Sequence, residues 1–441
     1  MARVSSQNLS SSDELAASTR AAPAAKATNQ GDRKVPTHLR RLYAATIPFG
    51  IGCGISLGIT PTYLPKLGFN EQNIGTLSIF FAAGLVLFAL PVGKLIRKFS
   101  AERIMCLSLL VYGITLIAFP WVKTYQGIGF VRFFDGMATI GVWVASETIL
   151  LGHAPREHKA YLTTLYAIFL ASGYVVGPFA SMILKLANAT PELSFAIGGF
   201  VEFAASAFVF LMLPPIPPTE KVHADEAGPS ATTSEMSGLA ILWRIKTSCF
   251  AAFSYGYFQA AAVLFLPRFV IVTKGVAEHK TFIFPGLFCL GMLLCSNIAG
   301  RIADRVGHLK TVRVLSSIGL VAIFAFAYMD AYWLMCVVII IAGATFASMS
   351  PVALALTGVV VKPDDYSRAN SIYNMFYATG ILLGPPISGV IFEHWGGARM
   401  LQHQVMLWGI FVLFATIFRN DDPANRRGHK TSTPNANLLP G

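Results

Sequence analysis

Apolar runs of eighteen or more residues recur along this chain, broken by short polar stretches. Each run is long enough to cross a hydrocarbon core of about 30 Å. The pattern predicts twelve spanning helices, at about 43–64, 74–95, 104–121, 128–151, 161–186 and 195–213, then 245–272, 281–302, 312–329, 332–360, 371–393 and 403–418. Between the sixth and seventh, the chain turns polar and proline-rich at Pro214, Pro215, Pro217 and Pro218. The predicted organisation is a disordered tail (1–41), a six-helix bundle (42–213), a linker (214–244), a second six-helix bundle (245–419) and a C-terminal tail (420–441). The fold class is all-α integral membrane.

Composition agrees with this pattern. Of 441 residues, 54% are hydrophobic and 13% charged, about half the charge of a soluble chain. The net charge of +12 could suggest nucleic acid, but the basic residues sit between and beyond the spans, so no nucleic-acid partner is expected. Lys and Arg instead set the orientation. Twelve fall in one set of loops (Lys94, Arg97, Lys98, Arg103, Arg156, Lys159, Arg301, Arg305, Lys310, Arg313, Lys362, Arg368) and six in the other, which places the first set, both termini and the linker in the cytoplasm. The N-terminal stretch lacks an apolar segment of the secretory kind and ends basic, which fits a bacterial inner (plasma) membrane. All six cysteines lie in spans without a CxxC, so neither a disulfide frame nor a metal site is indicated. The chain has no GxxxxGK[ST] and no nucleophile–base constellation, so an enzyme, a cofactor and a self-contained ATP-driven pump are not expected.

The two halves repeat with an offset of 207 residues. Gly93 matches Gly300, Gly136 matches Gly343, Gly173 matches Gly380, and Gly177-Pro178 matches Gly384-Pro385; six of fifteen positions are identical between 164–178 and 371–385. Such parallel repeats imply two bundles related by an axis along the membrane normal. Gly50, Gly54 and Gly58 form a small-residue stripe on the first span, a packing device. Gly173, Gly177 and Pro178, with Gly380, Gly384 and Pro385 in the second half, read as hinge and packing positions.

Charges inside spans are costly, roughly 2.5–3.5 kcal/mol each at a helix centre. The acidic ones are Asp135, Glu147 and Glu202, and the basic ones Arg132 and Arg268. On a helix, Arg132, Asp135 and Glu147 share one sector of about 120°, with Glu147 some ~18 Å from Asp135 along the axis. Arg132 and Asp135 can pair, in a structural or a working role. Glu147 is then a lone carboxyl suited to carrying a proton, unless it is interfacial or bonds Arg156. Glu202 reads as structural or lipid-edge, and Arg268 as a snorkelling residue near the outer mouth.

The loop Gly300-Arg-Ile-Ala-Asp304-Arg305-Val-Gly307-His308-Leu-Lys310 resembles the signature loop of the major facilitator superfamily. Gly173-x-x-x-Gly177-Pro178 is similar to the Gly-Pro element of its antiporter branches. Arg132-x-x-Asp135-Gly136 resembles its R-x-x-Q-G element, and with Trp143, Ser146-Glu147, Arg156 and Tyr166 it is similar to YcaD-type transporters. The first-half loop departs from the signature, with Arg97 and Ser100 where Asp and Gly are expected. The resemblance covers about 42–419. It implies alternating access, with Asp304 latching against the start of span five, and a cavity lined by spans one, four, seven and ten. Tyr166, Tyr255, Tyr257, Gln259, Tyr373 and Asn374 are candidate cavity residues, a set suited to a neutral or amphiphilic solute. The expectation is a monomeric secondary transporter, proton-coupled and exporting. Uptake of a nutrient, metabolite or siderophore, lipid translocation, or a non-transporting sensor on the same scaffold are the alternatives.

Overall fold

In hydrocarbon, every backbone N–H and C=O must be satisfied within the segment, so apolar runs of this length fold as helices. The computed structural model describes residues 35–153, 159–215, 237–362 and 365–424. The linker from 216 to 236, Arg156 and most of both tails lie outside the described residues. Among the described residues, twelve helices are long and apolar enough to cross a membrane. They are α1 (Thr37–Tyr63), α2 (Glu71–Phe99), α3 (Ala101–Ala118), α4 (Tyr125–His153), α5 (Lys159–Leu186) and α6 (Pro191–Met212). The second half holds α7 (Gly238–Lys274), α8 (Phe284–Val306), α9 (His308–Tyr328), α10 (Tyr332–Val360), α11 (Tyr366–Trp395) and α12 (Gly397–Ile417). Helix α1 starts at Thr37 rather than 43, and α7 at Gly238 rather than 245. The α1 extension (37–42) is a polar and basic turn beyond the apolar run, which hydropathy alone does not count; the α7 extension (238–244) is mostly apolar and ends at Arg244. The C-terminal segment is also packed further than 419: Asp421 accepts from Lys246 Nζ at 2.6 Å, and Asp422 accepts from the Leu309 N–H at 2.9 Å. A carboxylate at the first turn of α9 satisfies a free amide and the helix dipole together.

The packing repeats as the sequence does. Helix α1 lies on α5 as α7 lies on α11; α2 on α4 as α8 on α10; α3 on α6 as α9 on α12. The halves meet through α2 with α11 and α5 with α8, again a matched pair. Glycines make the close crossings possible. A Cβ on Gly84 would strike the Phe133 carbonyl and the Met137 nitrogen; 207 residues on, a Cβ on Gly291 would strike the Ile340 carbonyl and the Ala344 nitrogen. Gly136 faces the Phe81 carbonyl, and Gly343 faces that of Phe288. Gly50 and Gly54 meet Gly173, Gly177 and Pro178 in the α1–α5 crossing, while Gly380 and Gly384 meet Phe253 and Tyr257 in the α7–α11 crossing.

We call the end where α1 begins and α12 finishes proximal, and the opposite end distal. The α8–α9 turn at the proximal end uses Gly307 at φ +105°, a conformation natural to glycine. At the matching α2–α3 turn, Ser100 takes φ +84°, ψ 155°, a region that L side chains rarely occupy. The departure from the signature therefore keeps the turn and strains it, while the Ser100 Oγ accepts from the Arg103 N–H at 3.4 Å. Ser100→Gly removes about 1–3 kcal/mol of strain, and glycine costs only a few tenths as an N-cap. The variant is expected to melt higher than wild type in detergent; an unchanged or lower melting temperature would sink the strain argument.

Candidate functional site

A cavity of about 210 Å³ lies between the halves, walled by α1, α2 and α4 with Tyr112 of α3 and Tyr174 of α5 on one side, and by α7 and α11 on the other. Its charged lining residues are Arg132 and Asp135, one turn apart on α4. Arg132 Nη1 donates to Asp135 Oδ2 at 2.7 Å, and Nη2 donates to the Thr60 hydroxyl of α1 at 3.1 Å. The Phe119 ring lies 4.8 Å from the guanidinium carbon, supporting the cation through its π face. The second carboxylate oxygen, Oδ1, is buried with no hydrogen-bond partner among the described residues. Across the cavity the Tyr377 hydroxyl donates to Gln259 Oε1 at 2.8 Å. One cation, one anion, an amide and three phenols in a mostly apolar wall fit a small uncharged solute better than a multiply charged anion.

Gln259 and Pro385 line this cavity, but the predicted tyrosines do not. Tyr166 is buried, its hydroxyl 2.7 Å from that of Ser146. Tyr255 stacks on Tyr377, Tyr257 bonds His403 at 3.1 Å, and Tyr373 donates to the Ser350 carbonyl at 2.9 Å. Asn374 is exposed and donates to Asn370. Each phenol found a partner on a neighbouring helix. Helical spacing cannot distinguish that from facing a cavity. Thr60, Tyr112, Trp143, Tyr174 and Tyr377 line it instead. Glu147 is exposed and lies outside the lining.

Two other span charges differ from expectation. Glu202 is not at a lipid edge: it is 0% exposed, held against Gly52 of α1, with both oxygens lacking a hydrogen-bond partner among the described residues. A side chain at position 52 would fill the space that its carboxyl occupies. Arg268 does not snorkel. Its guanidinium bonds the Glu71 carboxylate across the halves, and the Glu71 N–H donates to Glu393 Oε2 at 2.9 Å. Beside it Glu278 takes Lys66 at 2.6 Å and Lys185 at 3.7 Å. These bridges close the distal end.

The proximal loops are in the opposite condition. Gly93 and Gly300 have open space where a side chain would stand. Arg97 and Arg305 are exposed. Asp304 is 75% exposed and pairs with His308 of its own turn at 3.4 Å, while most side chains at the start of α5, where the latch is expected, lie outside the described residues.

Comparison with known proteins agrees with this architecture. The Major Facilitator Superfamily pattern matches residues 42–332 and 285–440. An uncharacterized MFS-type transporter, YfkF of Bacillus subtilis, is 19% identical over 357 residues, covering 79% of this chain and 88% of that protein. YcaD of Escherichia fergusonii, also an uncharacterized MFS-type transporter, is 19% identical over 363 residues, covering 82% and 90%. Among solved structures, a variant of the nucleoside transporter NupG superposes with a TM-score of 0.72 at 16% identity, covering 86% of this chain and 99% of that one. A bacterial homolog of the human lysosomal transporter Spinster, captured inward-facing, gives 0.69 at 14% identity, covering 91% and 100%. Twelve spans in two like halves, a cavity between them and a family match over nearly the whole chain lead to one conclusion: this is a multi-pass membrane transporter that belongs to the Major Facilitator Superfamily.

Proposed function

We propose that the protein is a proton-coupled secondary transporter that exports a small neutral or amphiphilic solute by alternating access, and that Asp135 couples the proton to the solute. The observation that carries this reading is the Arg132–Asp135 pair on the cavity wall with one carboxylate oxygen unpartnered. A solute O–H or N–H that takes this oxygen competes with a proton for the same carboxylate. Competition of that kind is what exchange requires, because each ligand then leaves as the other arrives. The Gly-Pro element of α5 and its likeness to antiporter branches support the same direction. The cross-half distal bridges and the exposed proximal loops fit a state open toward the proximal side, which the charge bias of the loops makes cytoplasmic, with both termini there and the chain in the plasma membrane. Gly93, Arg97, Gly300, Asp304, Arg305 and Gly307 then belong to the cytoplasmic gate, which closes in the other state.

A second reading reverses the sign. Protonation of Asp135 frees the Arg132 fork for a solute acceptor, so that proton and solute enter together; the Nη2 arm, already bonded to the neutral Thr60 hydroxyl, favours this one. Asp135→Asn imitates the protonated form and separates the two. Exchange predicts that it weakens solute binding at least tenfold and abolishes pH-gradient-driven flux in proteoliposomes. Co-transport predicts binding retained at high pH. A panel of nucleosides, sugars and amphiphilic amines, with Glu147→Gln run alongside, makes the test. Gradient-driven flux that survives in Asp135→Asn and disappears in Glu147→Gln would move the coupling role to Glu147.

A further inference from the structure

The proximal end of the first half holds a cluster that the transport reading does not use. His38 in the first turn of α1, Glu102 in the first turn of α3 and His153 in the last turn of α4 bring one donor atom each to within 4.8 Å of one another. His38 Nε2 is 3.5 Å from Glu102 Oε1, and the two imidazole rings are 4.5 Å apart at 40°. His38 and Glu102 are buried, the histidine at 8% exposed.

The protein's own hydrogen bonds hold the Glu102 carboxylate, through its own N–H and Ser100, but leave three of the four histidine nitrogens unsatisfied. His153 Nδ1 lies 2.9 Å from the Ile149 carbonyl, which can only accept, so that nitrogen carries the proton and Nε2 presents a lone pair. That Nε2 is buried with no hydrogen-bond partner among the described residues, and neither nitrogen of His38 makes a directed hydrogen bond. A backbone carbonyl fixing the tautomer from behind is the usual support of a metal-ligating histidine. Unmade bonds to buried polar atoms are costly, and a cation at the centre takes a lone pair from each histidine together with the Glu102 carboxylate.

We propose that His38, Glu102 and His153 bind a divalent transition-metal ion of the zinc class. Two imidazoles and one carboxylate suit Zn²⁺ or Co²⁺, whereas Mg²⁺ and Ca²⁺ seek all-oxygen sets. With bonds of about 2.1 Å, the ligand atoms of a tetrahedral zinc stand about 3.4 Å apart. The His38–Glu102 edge already has that length. The remaining separations, up to 4.8 Å, close by side-chain torsion. The ion ties the beginnings of α1 and α3 to the end of α4, and it stands apart from the central cavity, whose lining includes none of the three.

The test uses the full-length protein in detergent, purified with an affinity tag free of histidine and stripped with EDTA. Titration with Co²⁺ is expected to give visible d–d absorption saturating at one ion per chain, without the thiolate charge-transfer band that cysteine ligands would add. Zn²⁺ should displace the Co²⁺ and raise the melting temperature by several degrees. His153→Gln and Glu102→Gln, each checked for a monodisperse elution profile, are expected to weaken Co²⁺ binding at least 100-fold and to lose the thermal shift. Absence of stoichiometric Co²⁺ uptake by wild type would overturn the proposal, leaving a buried His–Glu contact. So would wild-type affinity in either well-folded variant.

Discussion

Gly136→Leu is expected to yield no monodisperse protein, although it adds an apolar side chain to an apolar helix. A Cβ at this position would already collide with the Phe81 carbonyl oxygen and approach the Leu85 nitrogen of α2. Backbone atoms cannot swing aside as a side chain can, so the α2–α4 crossing has to widen and strand its neighbours. Ordinary overpacking costs about 1–3 kcal/mol; a branched side chain driven into a backbone crossing belongs with the rare losses above about 4–5 kcal/mol. Gly136→Ala should be intermediate, with a clearly lowered melting temperature. Gly93→Ala and Gly300→Ala are the controls. Both glycines sit in helices with open space around them, so alanine should leave thermal stability equal or slightly higher. Their transport should nevertheless fall if the proximal loops must close during the cycle. Thermal melting followed by size exclusion reads the first effect, and solute flux the second. A Gly136→Leu protein that melts like wild type would refute the crossing argument.

Arg268→Ala is expected to open the distal end. The guanidinium is 17% exposed and bonds the Glu71 carboxylate, while Glu393 lies on the same Glu71 backbone N–H. Without the cation, the buried Glu71 carboxylate is left uncompensated between the halves. Breaking a buried pair from one side costs about 3–5 kcal/mol. Because the bridge joins the halves, that loss falls on the state closed at this end. A shift of at least ~100-fold toward distal opening follows. Spin labels at Gln72 and His394, two exposed distal positions on opposite halves, should move apart in a background freed of the six native cysteines. Transport should fall tenfold or more, and the swap Glu71→Lys with Arg268→Glu should recover part of both. An unchanged label distance in Arg268→Ala would show that the bridge does not hold the end shut.

The cavity shows how residue type and residue role separate. Arg132 and Asp135 stand out in the sequence because charges three positions apart in an apolar helix are expensive unless paired, and the structure pairs them. Tyr166, Tyr255 and Tyr373 stood out equally as phenols on the right spans, yet each bonds or stacks on a neighbouring helix. Arg268 near the end of α7 could have reached water; its partner, Glu71, lies 197 residues away and is visible only when α2 meets α7. His38, Glu102 and His153 have no short-range spacing at all, so motif reading finds no metal site in them.

By itself, the sequence determined the number of spans, the two-fold repeat and the glycines on which the crossings depend. These follow from local rules: an apolar run of spanning length must become a helix, and a duplicated pattern must fold into duplicated packing. The tertiary structure decided which charges meet, which end is closed, where the cavity lies and which phenols face it. Those outcomes depend on the rotation of each helix about its axis and on contacts between segments hundreds of residues apart. Hydropathy is indifferent to both.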